Sequence, residues 1–594
     1  MKFDTSINSK NMAILPYLGF ALIVFSVKLI IIANYGNATP FWDQWDAEAD
    51  HLYRPLLEGN LIWANLFAPH NEHRILTTRL LAIALFYLNG GVWNPILQMQ
   101  VNAGIHVFAL TLLLFYTTKA LTSISRNALL VFCTIVFSIP FGWENTLAGF
   151  QSQFYFLLLF NFIFLWAMVA YTTYNTQWWL GLAAGLLCPL SLASGAFTLL
   201  AGSLVLIIKR VFSENKKDVS ILSIASLLIM ASIFIILTPN LAHHVPLKAH
   251  SLLQFFNALI TILSWPDTKF GIGLIIIHIP ILLLIFAILC RADLRIAPNY
   301  FIAAITLWIF GQFAAIAYGR AIGNMSSRYL DLFAIGLVMN FAAIAILFEQ
   351  VNSKQKLFFA GFSGFWIATI IFGFAASIEQ IDQDLKSKFH QGLNQEKNVR
   401  AYLCSGDFSY LQNKARLDIP YPNPMRLKSL LDNPTIRGIL PGNIYGPNSN
   451  HPITFCNQVE KSLNSLKISD AKTCIGSIDT INGSTLPKQF SISDSLDVSG
   501  WLTLSPTQTL PPAEPAIVVL TDNKGKNLFF KTQKQNRPDV ATHFNNPALS
   551  SSGFTATINV ASMSGSYTLG LGFIEGETIK LCPQFKIQGT INKQ

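Results

Sequence analysis

The chain has 594 residues, 52% of them hydrophobic and 12% charged, with a mean hydropathy of +0.44 and a formal net charge of +10. This length is more than one membrane bundle needs and leaves room for a polar domain. The positive charge does not point to nucleic acid, because the basic residues are scattered over loops without an aromatic-interleaved patch; loop bias on one side of a membrane accounts for it.

Long apolar runs recur up to about residue 376 and none follows. Each run of about 20 residues can cross a hydrocarbon core at about 1.5 Å per residue. The first, residues 12–33, follows Lys2 and Lys10 and has no small-residue cleavage site before Asn34, so it reads as a retained signal-anchor. Further spans are predicted near 97–118, 124–141, 153–172, 177–192, 195–208, 219–237, 270–290, 300–318, 329–348 and 357–376, about eleven in all. The stretches 75–88, interrupted by Arg79, and 251–265 read as re-entrant or surface-lying helices.

Four basic loops set the orientation: Lys119 to Arg126, Lys209-Arg210 with Lys216-Lys217, Arg291 with Arg295, and Lys354 with Lys356. Placing them in the cytoplasm puts the amino terminus inside and the C-terminal domain outside. The loops Asp43 to Arg79, Gly142 to Gln151, His243-His244 and Tyr318 to Tyr329 then share the external face. The expected domains are 1–377, a membrane bundle with an acidic first external loop (34–96); 378–484, an external linker and helical region; and 485–594, an external β-sandwich.

The β expectation rests on short alternating runs, Leu496 to Leu504, Ala516 to Leu520, Leu528 to Lys531, Phe554 to Val560, Tyr567 to Phe573 and Gln584 to Ile587. Asp522-Asn523-Lys524-Gly525 and Ser564-Gly565 are hairpin-turn candidates. Trp501 has either a core position or a sugar-binding face. Cys133, Cys188 and Cys290 fall in spans, where they pack, whereas Cys404, Cys456, Cys474 and Cys582 are an even set in a compartment expected to oxidise. Cys456–Cys474, closing a short polar loop, is the favoured pair, with Cys404–Cys582 second.

The charged groups cluster where chemistry at a membrane surface would need them. Phe41-Trp42-Asp43-Gln44-Trp45-Asp46 sets two carboxylates between tryptophans, and on a helix positions i and i+3 share a face. A carboxylate there is a candidate general base, with Asp43 first and Asp46 second; the bland alternative is an interfacial aromatic belt with solvated acids. In Pro69-His70-Asn71-Glu72-His73-Arg74, the histidines are three apart and do not form the His-Glu-x-x-His zinc pattern. His73 and Arg74 suit binding of a phosphate or phosphosugar, with Glu72 orienting them or holding sugar hydroxyls; the alternative is a hydrogen-bonded helix start. Trp143-Glu144-Asn145 with Gln151 offers an acid, amides and an indole, the groups that hold sugars, or simply a capping turn. Arg320 and Arg328-Tyr329 suit a lipid phosphate, or interfacial snorkelling.

No Walker loop, dinucleotide fingerprint, nucleophile elbow or paired Cys-x-x-Cys occurs in the sequence. A cytosolic nucleotide-driven mechanism has no support in it. Ionisable residues at span ends rather than mid-span also argue against a transporter or flippase for lipid-linked glycans, which remains the alternative together with a non-catalytic assembly partner.

The strings Asn71-Glu72-His73-Arg74, Trp143-Glu144-Asn145 with Gly149-Phe150-Gln151, and Ser327-Arg328-Tyr329, set in this loop pattern, resemble the GT-C class of integral membrane glycosyltransferases of bacteria. The resemblance implies a polyprenyl-phosphate-linked sugar donor, an envelope glycan or lipid acceptor, a first-loop Asp as base (Asp43 by position) and a place in the bacterial inner membrane. It assigns no definite cofactor and leaves room for a divalent metal. The chain departs from the mannosyltransferase branch in lacking an adjacent Asp-Glu pair, and the Glu144 loop has no Asp-x-Asp.

Overall fold

The computed structural model describes residues 5–592 except 214–218, 268–271, 324, 407, 413, 442–443, 445–466, 472, 486–488, 493–494, 508–515, 561–562 and 576–577. The chain forms two units, Met1–Lys397 with Leu411–Asn443, and Asn398–Tyr410 with Ile444–Gln594.

The first unit is helical. Its main elements are α1 (Thr5–Tyr35), α2 (Leu76–Leu88), α3 (Pro95–Thr117), α4 (Ser123–Ser138), α5 (Ser152–Ala170), α6 (Thr176–Ser191), α7 (Ala196–Phe212), α8 (Ile221–Ile236), α9 (Leu252–Ser264), α10 (Ile279–Cys290), α11 (Ala297–Gly319), α12 (Leu330–Gln350), α13 (Ser353–Ser405) and α14 (Pro424–Asp432). Their starts follow local chemistry: the side chains of Asn94, Thr122, Asn175, Ser251 and Asn423 accept first-turn N–H bonds. Pro95 and Pro424 occupy first helical positions, where no N–H is needed.

Every apolar run expected to span coincides with helix, but not all are long enough. Among the described residues, 7 helices reach crossing length and hydropathy, namely α1, α3, α5, α7, α11, α12 and α13. The others are shorter apolar pieces, and the run 270–290 breaks into Ile272–Ile276 and α10. A helix of 12 to 16 residues rises only about 18–24 Å, short of a hydrocarbon core of about 30 Å. The helix α13 runs unbroken through residue 377 for 53 residues. The surface-helix expectation for 75–88 meets α2, whose Arg79 is 2% exposed and donates to the carbonyls of Leu66 at 2.9 Å and Ala68 at 2.6 Å.

The core of this unit is aromatic and aliphatic. Tyr116 stacks on Trp166 at 4.5 Å and Phe132 on Phe341 at 4.5 Å. Gly181, Gly185 and Gly202 let helices close around α5, since a Cβ at any of them would overlap Ala167 or Phe164.

The second unit carries β3 (Lys467–Asp470), β4 (Ile475–Ile481), β5 (Ser484–Thr485), β6 (Gln489–Ile492), β7 (Ser495–Thr503), β8 (Ile517–Asp522), β9 (Asn527–Lys531), β10 (Gln533–Gln535), β11 (Gly553–Asn559), β12 (Gly565–Glu575) and β13 (Thr578–Ile591); β1 and β2 belong to the site described below. One sheet has the order β10-β11-β7-β4-β5; the other runs β3-β13-β12-β8-β9, with β6 also on β13. Leu496, Val498 and Leu502 alternate inward on β7 and meet Val518, Leu520, Leu569 and Leu571 of the other sheet in one core. Among the described residues of this unit, strands therefore begin at Lys467, ahead of residue 485.

Three sequence expectations change here. Ser564-Gly565 is not a hairpin turn, because β11 and β12 lie in different sheets; it is a crossover. Asp522 to Gly525 does join β8 to β9, with the Asp522 carboxylate accepting from the N–H groups of Lys524 and Lys526, each at 2.8 Å. The favoured Cys456–Cys474 pair gives way to Cys474–Cys582, which also rules out Cys404–Cys582. The parallel pairing of β3 with β13 is the cause: it carries Ala471 onto the Leu581 carbonyl and leaves Cys474 5.9 Å (Cα–Cα) from Cys582. Cys456 lies outside the described residues. Trp501 faces outward on β7, half-buried against Phe544 at 5.6 Å.

Candidate active site

The first loop begins with strain and a wide turn. Trp42 adopts φ +51°, unusual for a bulky residue, and donates its N–H to the Pro420 carbonyl at 2.7 Å. Asp43 then precedes a π-helix, Gln44–Tyr53. With i→i+5 bonding, residues four apart share a face more nearly than residues three apart. Gln44 and Glu48 meet, as do Asp46 and Asp50, while Asp43 and Asp46 diverge.

Asp46 and Asp50 are tied down. The Arg426 guanidinium from α14 donates to Asp46 Oδ1 at 2.8 and 3.0 Å and to Asp50 Oδ2 at 2.5 Å. Tyr421 donates its hydroxyl to Asp46 Oδ2 at 2.5 Å, and Arg54 reaches Asp50 at 2.9 Å.

Asp43 turns the other way, to His70, at 3.6 Å, and its carboxylate remains 42% exposed. Burial pushes its pKa up, but the nearby His70 imidazole and the charges of His70, Arg328 and His73 outweigh this and hold it below the ordinary carboxylate value. It is therefore ionised at neutral pH and accessible, as a general base must be.

Beneath the acids lies a buried node. Glu48, 2% exposed, accepts from Gln44 Nε2 at 3.0 Å, Gln98 Nε2 at 3.0 Å and Trp93 Nε1 at 2.9 Å, with no cation bonded to it. Gln44 Oε1 in turn accepts the Phe41 N–H at 3.0 Å, so this node fixes the turn that carries Asp43. Gly149 is required beside it, because a Cβ there would lie 2.6 Å from Gln98 Oε1.

Residues 69–74 form a hairpin, β1 (Pro69–His70) and β2 (His73–Arg74), in place of a helix start. Asn71 makes the turn at φ +51°. The hairpin aims His70 at Asp43 and packs it edge-on against Phe150 at 5.5 Å. Glu72 pairs with His244 and lies 3.8 Å from Arg320. His73 Nδ1 accepts the Ala193 N–H at 3.3 Å, and burial lowers its pKa to about 4. Arg74 is occupied with the carbonyls of Phe67 at 3.1 Å and Leu237 at 3.4 Å.

The turn Trp143–Thr146 packs onto Ser326 to Tyr329. Glu144 Oε2 accepts from the hydroxyls of Ser326 and Ser327 and from the Arg328 N–H at 3.0 Å. The Arg328 guanidinium lies 3.8 Å from Glu144 Oε1. Asn145 is fully buried and donates to the Arg328 carbonyl at 2.7 Å and to Asp331 at 2.8 Å. Gln151 accepts from Gln153 at 3.1 Å, and Tyr329 packs edge-on to Phe154 at 6.3 Å. Glu144 and Arg328 open into a cleft of about 590 Å³ whose walls include Phe141, Trp265, Phe333 and Ile381.

The structure thus links Asp43 to His73 and Arg328, His73 to Glu72 and Arg320, and Arg328 to Glu144, with Glu144 and Arg328 on the cleft wall, and assigns Asn145, Gln151, Tyr329 and Arg74 to holding the loops. Sequence reasoning missed Tyr421 and Arg426, which reach the first loop from almost four hundred residues away, and the pairing roles of His70 and His244. A divalent metal finds a poor seat: among the described residues no three His, Cys, Asp or Glu side chains converge as a ligand set. The acid–imidazole pairs Asp43–His70 and Glu72–His244 offer two donors each, fewer than a metal site needs from side chains.

No protein-family model and no curated protein sequence matches the chain. Among solved structures, the crystal structure of the Archaeoglobus fulgidus oligosaccharyltransferase in complex with Zn and sulfate aligns with 61% of this chain and 53% of its own, at a TM-score of 0.34 and 13% identity. The aligned part is about half of that enzyme's length.

Proposed function

We propose that the protein is an integral membrane glycosyltransferase that moves a sugar from a polyprenyl-phosphate-linked donor to an envelope glycan or lipid acceptor. The observation that carries this reading is the division of labour among the first-loop acids. Asp46 and Asp50 are locked by Arg426, whereas Asp43 is ionised, exposed and within the field of Arg328, which lines an apolar-walled cleft.

In the proposed reaction, Asp43 takes the proton from the acceptor hydroxyl. The acceptor oxygen bonds to the anomeric carbon as the bond from that carbon to the phosphate oxygen breaks, and the lipid phosphate leaves with the electron pair. Arg328 offsets the charge of that phosphate, held in place by its backbone bond to Glu144. Glu144, together with Glu72 and Arg320, contacts sugar hydroxyls. The bilayer is the bacterial plasma membrane, with the amino terminus cytoplasmic and the site and β-domain external.

The test is sugar transfer from synthetic prenyl-phosphate sugars by purified protein. Asp43→Asn is expected to abolish transfer while the protein remains folded and inserted. Transfer surviving in both Asp43→Asn and Asp46→Asn would end the base assignment.

A further inference from the structure

Lys388 stands out among the groups this mechanism leaves unused. It is 9% exposed, and buried charges are ordinarily paired because desolvation is costly. Among the described residues, no carboxylate, hydroxyl or carbonyl bonds its ammonium. Its close contact is the Phe41 ring, whose centroid lies 3.4 Å away.

Its position ties it to the site. Ser377, Gln380, Ile381 and Asp384 of α13 line the cleft that Glu144 and Arg328 enter, and Lys388 follows Asp384 by four residues, about 6 Å further along the same face. Phe41 is two residues from Asp43. Lys388 feels the charge of Glu144, while Glu144 Oε2 is already bonded to Ser326, Ser327 and the Arg328 N–H. Two cations, Lys388 and Arg328, therefore flank Glu144, and Lys388 has no hydrogen-bonded anion among the described residues.

We infer that Lys388 binds the phosphate of a ligand seated in this cleft, with Arg328 as the second cation. The inference rests on the glycosyltransferase reading for the identity of the ligand, a lipid phosphate, but not for the cation site. The bare ammonium is a point charge with three donors, and a phosphate supplies the acceptors that the protein does not. An apolar-walled cleft beside it matches a phosphate carried on a prenyl chain.

The experiment measures binding of farnesyl phosphate, farnesol and inorganic phosphate to the detergent-purified full chain. Wild type should prefer farnesyl phosphate to farnesol. Lys388→Met should weaken that binding by about tenfold or more, the weight of one charge-assisted bond, and Lys388→Arg should restore most of it. Lys388→Gln serves as the second charge-removing variant, and thermal melting reports folding of each. Competition by inorganic phosphate would assign recognition to the phosphate alone; its failure would assign it to phosphate and chain together. Binding unchanged in Lys388→Met and Lys388→Gln, or no preference over farnesol in wild type, overturns the inference. Protein that binds farnesyl phosphate through Lys388 but transfers no sugar keeps this site and ends the enzyme reading. A transferase whose Lys388→Met variant binds normally does the reverse.

Discussion

Arg426 grips Asp46 with two nitrogens at 2.8 and 3.0 Å, and it does so from a segment that follows the last helix of the bundle. The contact separates two acids that look equivalent in sequence. Arg426→Met should cost about 2 kcal/mol, the scale of a hydrogen bond to a charged group, read as a lowered melting temperature. Asp46→Asn should show the same kind of loss with transfer partly retained, and Asp43→Asn the opposite pattern. Equal melting losses in both Asp variants would contradict the division.

Glu48 and its donors make a second prediction. Glu48→Leu leaves the side-chain N–H groups of Gln44, Gln98 and Trp93 without their acceptor, at about 1–3 kcal/mol each, so a stable fold should be lost. Glu48→Gln keeps one carbonyl oxygen and should be milder. Gly149→Ala pushes a methyl against Gln98 Oε1 and should reproduce the loss from the other side. A normally folded Gly149→Ala protein would show that the node yields.

His73 sets an acid limit. Burial lowers its pKa from 6.5 to about 4, so between these values the unfolded chain binds the proton that the folded chain refuses. The stability contributed by His73 should therefore fall as pH drops from 6.5 towards 4 and change no further below. Melting curves across that window should lose much of their slope in His73→Gln. An unchanged slope would mean that another group governs it.

The cystine Cys474–Cys582 closes 108 residues of chain, a loop for which about 2–5 kcal/mol is typical. Cys582→Ser should speed proteolysis within the second unit, with peptide mapping locating the cuts after residue 466. Equal protection in both proteins would show that the sheets hold without it.

Hydropathy made the helices of the first unit legible, and alternation marked β7, β8, β9, β11, β12 and part of β13, because both follow from side-chain periodicity. The strands β3 to β5 were not, since Ser, Asp, Thr and Gly dominate Lys467 to Thr485 and hide the alternation. Cystine connectivity failed for a related reason: it depends on the parallel pairing of β3 with β13, which spacing does not encode. Asp43, Glu144 and Arg328 stood out as candidates because charge is scarce in an apolar chain. Arg426, Tyr421 and Lys388 were missed because they lie in polar sequence where charge is ordinary. The signal for Lys388 was its place on the stripe Ile381, Leu385, Gly392 of α13, where a cation interrupts packing residues.

Residues 353–397 of α13, its run within the first unit, contain no proline, so this length behaves as a rod of about 68 Å, with an apolar first half and Lys388 well beyond it. A thinner or thicker bilayer tilts such a rod rather than bending it. With α13 read as membrane-spanning, the ammonium over Phe41 lies on the arm outside the lipid, and acyl-chain length is expected to affect how this pocket is set.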